Sequence, residues 1–286
     1  MPQVKLGSVE LFFDEKGTGS PVVFSHGIPT DYKAWKAQVE EVSKSFRAIV
    51  YSRRHAYPNK REGDVSDSTI NNNSSDLVAF IEELHLSQVN LVGHSFGGYV
   101  AAKAAREKPG LFRSLVLVEP AIPSMLVRDE KSFVQKLLFF LTSPSAAMSA
   151  RKFQTGPLSE AIKAFESKDY TSAARWFYDG IRETPGAFEK ATPDVRDMMI
   201  DNGLTVGELD NEFPIFVSTD ARELKLPTLL VKGENSPKWL REIVDRLSRS
   251  LLNCTTVTIS KSGHVPHIDN PSEFNSRLNE FLQNSI

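Results

Sequence analysis

The stretch Leu91-Val92-Gly93-His94-Ser95-Phe96-Gly97-Gly98-Tyr99-Val100 decides the fold of this 286-residue chain. The apolar run Val89 to Val92 reads as a strand, and Tyr99 to Glu107 reads as a helix. Only a tight turn fits between them, and Ser95 stands at its apex. A serine there holds a strained backbone and needs small neighbours. Gly93 and Gly97 supply them and let strand and helix approach closely. The hydroxyl then stands clear of both elements at the positive end of the helix, where negative charge is stabilised.

The same strand-then-helix rhythm extends outward in both directions. Val9 to Phe13, Val22 to Ser25, Ala48 to Tyr51 and Leu115 to Val118 read as strands, while Lys33 to Lys44 and Asp67 to Leu84 read as helices. Such alternation predicts a parallel sheet with helices on both faces. It breaks between Ala121 and Asp220, where the patterns are helical: Lys131 to Leu141, Ser159 to Ser167, Thr171 to Arg182 and Ala191 to Asn202. It resumes with strands at Thr228 to Val231 and Thr255 to Ile259, and helices at Trp239 to Leu252 and Ser272 to Leu282. The chain therefore reads as an α/β core, residues 1–120 and 221–286, with an inserted helical cap over 121–220. The cap is rich in large apolar residues, among them Phe133, Phe139, Phe140, Trp176 and Phe177. Packing between helices is their first role, with Trp176 a candidate for the substrate pocket.

Composition narrows the function classes. Hydrophobic residues make up 40%, enough for an ordinary globular core, and the net charge of -2 comes from mixed acids and bases. No basic block suggests nucleic acid, and no apolar stretch approaches a membrane span. The first ten residues lack the pattern of a secretory signal, so a cytoplasmic protein acting on a small molecule is the expectation. A single cysteine, Cys254, excludes an internal disulfide and a multi-cysteine metal site and reads as a buried structural thiol. The histidines lack metal-ligand spacing, so no metal and no cofactor are expected. Oligomeric state is not legible.

Three separated sites fit one mechanism. Ser95 is the first. His264, in Ser262-Gly263-His264 just past the strand ending near Ile259, is the second; strand ends of an open parallel sheet converge on one crevice, so a base there can reach the serine. The third is His26-Gly27-Ile28-Pro29, directly after a strand. Backbone N–H groups of this turn and of Phe96 would form an oxyanion hole, and the side chains that accompany them can be apolar. His26 borders the predicted crevice and is a second pocket candidate, although it and His94 lie in structural turns; His267 reads as a brace for its loop.

With these residues in view, the chain resembles the α/β-hydrolase family over nearly its whole length. The HG turn, the GHSFGG elbow, the late GH and the helical insertion occur in the family's order. The resemblance implies that Ser95 is the nucleophile, His264 the general base, and the amides of Ile28 and Phe96 the oxyanion donors. Residues 26–35 are also similar to haloalkane dehalogenases and epoxide hydrolases. Those use an aspartate nucleophile where this chain has Ser95, which favours an acyl-enzyme route. The implied activity is hydrolysis of an ester or lactone of a small, fairly hydrophobic substrate. Carbon–carbon cleavage of a diketone-like substrate, or a small-molecule receptor with little turnover, are the alternatives.

Two departures from the family pattern stand out. The usual acid position, G-x-x-D, is here Gly233-Glu234-Asn235-Ser236, and a serine cannot serve as a carboxylate. Glu119, after the strand Leu115 to Val118, is the first candidate for the acid, as some haloalkane dehalogenases and lactone hydrolases carry theirs after that strand; Glu234 is the second. The other departure is the double arginine Arg53-Arg54, where the family often has an acidic, glycine-rich loop. It either recognises an acidic group of the substrate or ties loops together, and five donors per guanidinium suit the second role.

Overall fold

Each apolar run that alternates with a helical pattern becomes one strand of a single sheet. The computed structural model describes residues 2–60 and 64–285; the outer limits of the expected core, Met1 and Ile286, lie outside them. The strands are β1 (Gln3–Leu6), β2 (Val9–Lys16), β3 (Pro21–Ser25), β4 (Arg47–Tyr51), β5 (Val89–His94), β6 (Phe112–Val118), β7 (Thr228–Gly233) and β8 (Cys254–Ile259). They lie in the order β1-β2-β4-β3-β5-β6-β7-β8. Only β1–β2 and β2–β4 pair antiparallel; every later pair is parallel. The expected mainly parallel α/β-hydrolase sheet is therefore present, with one strand, β1, that sequence reading missed. Its four residues carry only one buried apolar side chain, Val4, too little for a periodic signal.

The chain crosses from β4, on one side of β3, to β5 on the other. Strand order reverses there, and a crevice opens beyond the strands' carboxyl ends. Register brings the following loops level: Ser25 pairs with Gly93, His94 with Val118, Val118 with Val231, and Gly233 with Ile259. Loops far apart in sequence thus start from one edge of the sheet.

Helices α1 (Lys36–Val42), α2 (Ile70–Glu83) and α3 (Ser95–Glu107) belong to the first half. Between β6 and β7 come α4 (Phe133–Thr142), α5 (Pro144–Phe153), α6 (Ser159–Glu166), α7 (Tyr170–Ile181), α8 (Ala187–Lys190), α9 (Pro193–Asp201) and α10 (Ser218–Glu223), and no described residue there is in a strand. α10 crosses residue 220, the border expected from the sequence. Then follow α11 (Lys238–Ser250), α12 (Pro266–Asp269) and α13 (Pro271–Asn284).

β5 is buried throughout, and β6 is buried apart from Arg113, as strands covered on both faces must be. One face packs on Leu77, Phe80 and Tyr99 of α2 and α3 and on Ile243 and Leu247 of α11. The other packs on Val42 of α1 and on Phe274, Leu278 and Leu282 of α13. Each such side chain contributes about 1.5–3 kcal/mol relative to exposure. The first cluster continues into the helical block through Phe153 and Phe177, so core and block share one apolar interior. α4 differs from the expected packing helix: only Phe139 is buried, and Phe133 is 75% exposed. Cys254 is half-buried rather than buried. Among the described residues no helix is long and apolar enough to cross a membrane.

Candidate active site

The turn from β5 to α3 is as tight as its glycines require. Ser95 takes φ 52°, a left-handed conformation rare for a residue with a side chain. A Cβ on Gly97 would lie 2.3 Å from the His26 carbonyl oxygen and 2.5 Å from that of Ser25, so only glycine lets α3 begin against the end of β3. A Cβ on Gly27 would lie 3.1 Å from Ser95 Cβ, which places the His26-Gly27 turn directly against the serine. Phe96 is the second residue of α3, so its N–H has no carbonyl one turn earlier to bind. Among the described hydrogen bonds neither the Phe96 nor the Ile28 N–H has an acceptor; Phe96 follows Ser95 directly, and Ile28 follows Gly27, which lies against Ser95.

The three separated side chains meet. Ser95 Oγ lies 2.9 Å from His264 Nε2, and His264 Nδ1 lies 3.3 Å from Glu119 Oε2. All three are buried. Glu119 also has a positive φ, 47°, so the chain turns sharply off the end of β6 and its carboxylate reaches across β7. Its Oε1 accepts the Gly233 N–H at 2.7 Å, and its Oε2 accepts a short hydrogen bond from Ser236 Oγ. The serine in the usual acid position thus faces the carboxylate that the sequence nominated first. Burial pushes Glu119 up to about 8, opposed by the bonds from Ser236 and Gly233. Burial pushes His264 down to about 3; Arg182 pushes the same way and Asp269 opposes. A neutral imidazole is the form that can accept a proton from Ser95.

Glu234 is not part of this group. It is exposed, and its Oε2 accepts the Lys261 N–H at 2.8 Å, which ties β7 to the loop before His264. Of the two pocket candidates, one is enclosed by the protein and the other lies on an exposed face of a helix. His26 is fully buried: its Nδ1–H donates to the Gly27 carbonyl at 2.9 Å, and its Nε2 accepts the Arg53 N–H at 3.0 Å. Trp176 is 44% exposed on α7, beside exposed Arg175, while Ala173, Ala174 and Phe177 take the buried side of that helix. Helical periodicity identified an amphipathic element but not which side chains look inward.

Several supporting residues have no local signature in the sequence. His94 Nε2–H donates to the His264 carbonyl at 2.8 Å and so fixes the backbone that carries the His264 ring. Asp269 accepts the Gly263 N–H at 2.7 Å and also binds Arg182, at the end of α7, at 2.6 Å. His267 stacks on Trp35 with ring centroids 4.3 Å apart, the bracing role expected of it. Both arginines of the double-arginine loop hold loops together. Arg54 binds Asp76 and Asp67, and Arg53 is buried against Glu208 at 2.8 Å. Ser236 was the one visible signal: a hydroxyl where a carboxylate is usual fits a site whose carboxylate arrives from elsewhere.

A parallel sheet of this order, with a strained serine after β5 and a histidine after β8, defines an α/β hydrolase. The family model described as the alpha/beta hydrolase family matches residues 22–277, and the chain belongs to that family. It is similar to an AB hydrolase superfamily protein, YisY, of Bacillus subtilis (strain 168), 24% identical over 281 residues, covering 96% of this chain and 95% of that protein. It also resembles a solved thermophilic esterase from Thermogutta terrifontis, with TM-score 0.70, 24% identity and coverage of 100% of this chain and 99% of that one. A bromoperoxidase from Bacillus anthracis superposes with TM-score 0.76 at 21% identity, covering 99% of both chains. At these identities the two structures speak for the fold alone.

Proposed function

We propose that this hydrolase cleaves an ester or lactone bond of a small, fairly hydrophobic substrate through an acyl-enzyme on Ser95. The observation that carries the reading is the linked set Ser95 Oγ, His264 Nε2 and His264 Nδ1, Glu119 Oε2, at 2.9 and 3.3 Å, with the Phe96 and Ile28 N–H groups free of acceptors among the described hydrogen bonds. Ser95 Oγ attacks the carbonyl carbon and its proton passes to His264 Nε2. The amides of Ile28 and Phe96 hold the oxyanion, and Glu119 stabilises the imidazolium. His264 then protonates the leaving alkoxide, which departs. Water attacks the acyl carbon, gives its proton to His264, and the proton returns to Ser95 Oγ as the acid leaves. A lactone follows the same steps with both products in one molecule. Ile28 and Phe96, the apolar residues next to the Ser95 and His26-Gly27 turns, favour an uncharged acyl group.

Hydrolysis of 4-nitrophenyl butyrate and γ-valerolactone, and labelling by a fluorophosphonate probe, test this reading. Ser95 should be the labelled residue, and Ser95→Ala should lose several orders of magnitude in turnover with its fold intact. Turnover that survives in Ser95→Ala, or labelling at Ser236, would overturn it.

A further inference from the structure

Arg53 is a buried cation that takes no part in the proton transfers between Ser95, His264 and Glu119. Arg53 is about 1% exposed, and its side chain is among the largest that are fully buried. A cation buried with its counter-ion is often no more stabilising than a well-packed apolar pair, so stability alone does not account for it. Its contacts are specific. Nε donates to the His26 carbonyl at 3.0 Å, Nη1 to Glu208 Oε2 at 2.8 Å and Asn73 Oδ1 at 3.3 Å, and Nη2 reaches the Gly27 carbonyl at 3.4 Å. The guanidinium also lies 4.5 Å from the centre of the Phe96 ring. It therefore touches both segments that carry the oxyanion donors.

The Gly27 carbonyl belongs to the same peptide unit as the Ile28 N–H. It accepts from three groups: His26 Nδ1 at 2.9 Å, Thr30 Oγ1 at 3.0 Å, and Arg53 Nη2. In a trans peptide the carbonyl and the N–H point in opposite directions. Donors gathered on the carbonyl side fix the plane of the peptide and leave its N–H facing away from them. Hydrogen bonds to a carbonyl also polarise the peptide and strengthen its N–H as a donor. The Nη2 contact is long, so its positive charge matters there more than its direction.

We propose that Arg53 is a positioning residue for the oxyanion site, orienting and polarising the Gly27–Ile28 peptide, and that Glu208 of the helical block holds Arg53 in that place. Glu208 lies in the turn Gly203–Asp210, 155 residues away in sequence, and is itself fixed by Ser68 Oγ at 2.9 Å. The oxyanion site is then complete only when this turn of the insertion is seated on the core. The proposal rests on the serine-hydrolase reading and adds to it a dependence on residues that touch no substrate.

The test compares the parent with Arg53→Lys, Thr30→Val and the double variant Arg53→Met with Glu208→Leu. Readouts are kcat and KM for 4-nitrophenyl butyrate, the rate of Ser95 labelling by the fluorophosphonate, and the melting temperature. Arg53→Lys keeps the charge opposite Glu208 but loses the fork that spans two carbonyls. The double variant removes both buried charges together and so avoids stranding either. Removing a whole oxyanion donor costs about 10²–10³ in kcat, so misaligning one should cost roughly 10- to 100-fold in the two Arg53 variants, with KM unchanged. Thr30→Val, which removes a different donor from the same carbonyl, should slow kcat and labelling several-fold in the same pattern. A folded Arg53→Lys or double variant with parental kcat and labelling rate overturns the proposal. So does a rise in KM with kcat unchanged, which would make Arg53 a substrate-binding group. Absence of both turnover and labelling in the parent removes the serine-hydrolase reading and the proposal with it. Failure of Ser95→Ala to lose activity does the same, whereas labelling at Ser95 alone with insensitive Arg53 variants removes only the proposal.

Discussion

Replacing Glu119 by glutamine should disable the base with little effect on substrate binding. The carboxylate accepts at both oxygens: Gly233 N–H at Oε1, and Ser236 O–H and His264 Nδ1–H at Oε2. An amide has one donor end, so either placement sets a donor against a donor. With its NH₂ toward Gly233 a buried backbone N–H is orphaned, at about 1–3 kcal/mol. With its NH₂ toward His264 the imidazole must turn to the other tautomer, and Nε2 then carries the proton that it should accept from Ser95. In both cases the charge opposite the imidazolium is gone. At 3.3 Å and an effective dielectric constant of about 20 that charge is worth about 5 kcal/mol. At about 1.4 kcal/mol per decade this is between three and four orders of magnitude in kcat. Hydrolysis of 4-nitrophenyl butyrate at pH 9, where Glu119 is ionised, should show that fall with KM unchanged. Glu234→Gln should be nearly silent, because a glutamine oxygen still accepts the Lys261 N–H. Less than a tenfold loss in Glu119→Gln, or collapse in Glu234→Gln alone, would refute the assignment of the acid.

Because burial pushes Glu119 up to about 8 and His264 down to about 3, kcat/KM should rise with pH through about 8, and this limb should vanish in Glu119→Gln. Stability should respond in the opposite sense on the alkaline side. A carboxyl whose folded pKa is raised stabilises most below its unfolded value, and that contribution is lost as pH climbs to about 8, at about 1.4 kcal/mol per unit. Below about pH 6.5 the buried histidines His26, His94, His264 and His267, all lowered by burial, charge in the unfolded chain first. They outnumber the raised acids Asp31, Glu119 and Glu208, so urea midpoints should drop between pH 6.5 and 5; a flat profile would mean that the histidines are not held neutral. Gly97→Ala should push α3 off β3, since its Cβ would meet two backbone oxygens, at about 1–3 kcal/mol or more. Urea unfolding and turnover should both register it, and an unchanged midpoint with full activity would contradict the close approach.

What the sequence determined by itself was whatever has a local cause. The elbow needs glycines two residues either side of Ser95, buried strands need apolar runs, and the HG and GH turns follow their strands directly, so Ser95, His264 and the His26-Gly27 turn could be named by number as candidates that the fold then brings together. Strand β1 escaped because four mostly exposed residues carry no period. The helices α5, α8, α10 and α12 were missed as well, three of them too short for a periodic signal. The tertiary structure decided what depends on distant segments meeting. Glu119 and Glu234 are both carboxylates near a strand end, and no local pattern separates them. Register between β6 and β7, together with the positive φ of Glu119, carries one carboxylate to a histidine 145 residues away and leaves the other in solvent. The same holds for Arg53. Its five donors are evident in its side chain, but which carbonyls and which carboxylate receive them is fixed only when Glu208, in the turn Gly203–Asp210, meets Arg53 and Ser68, because hydrogen bonds buried away from water admit few partners.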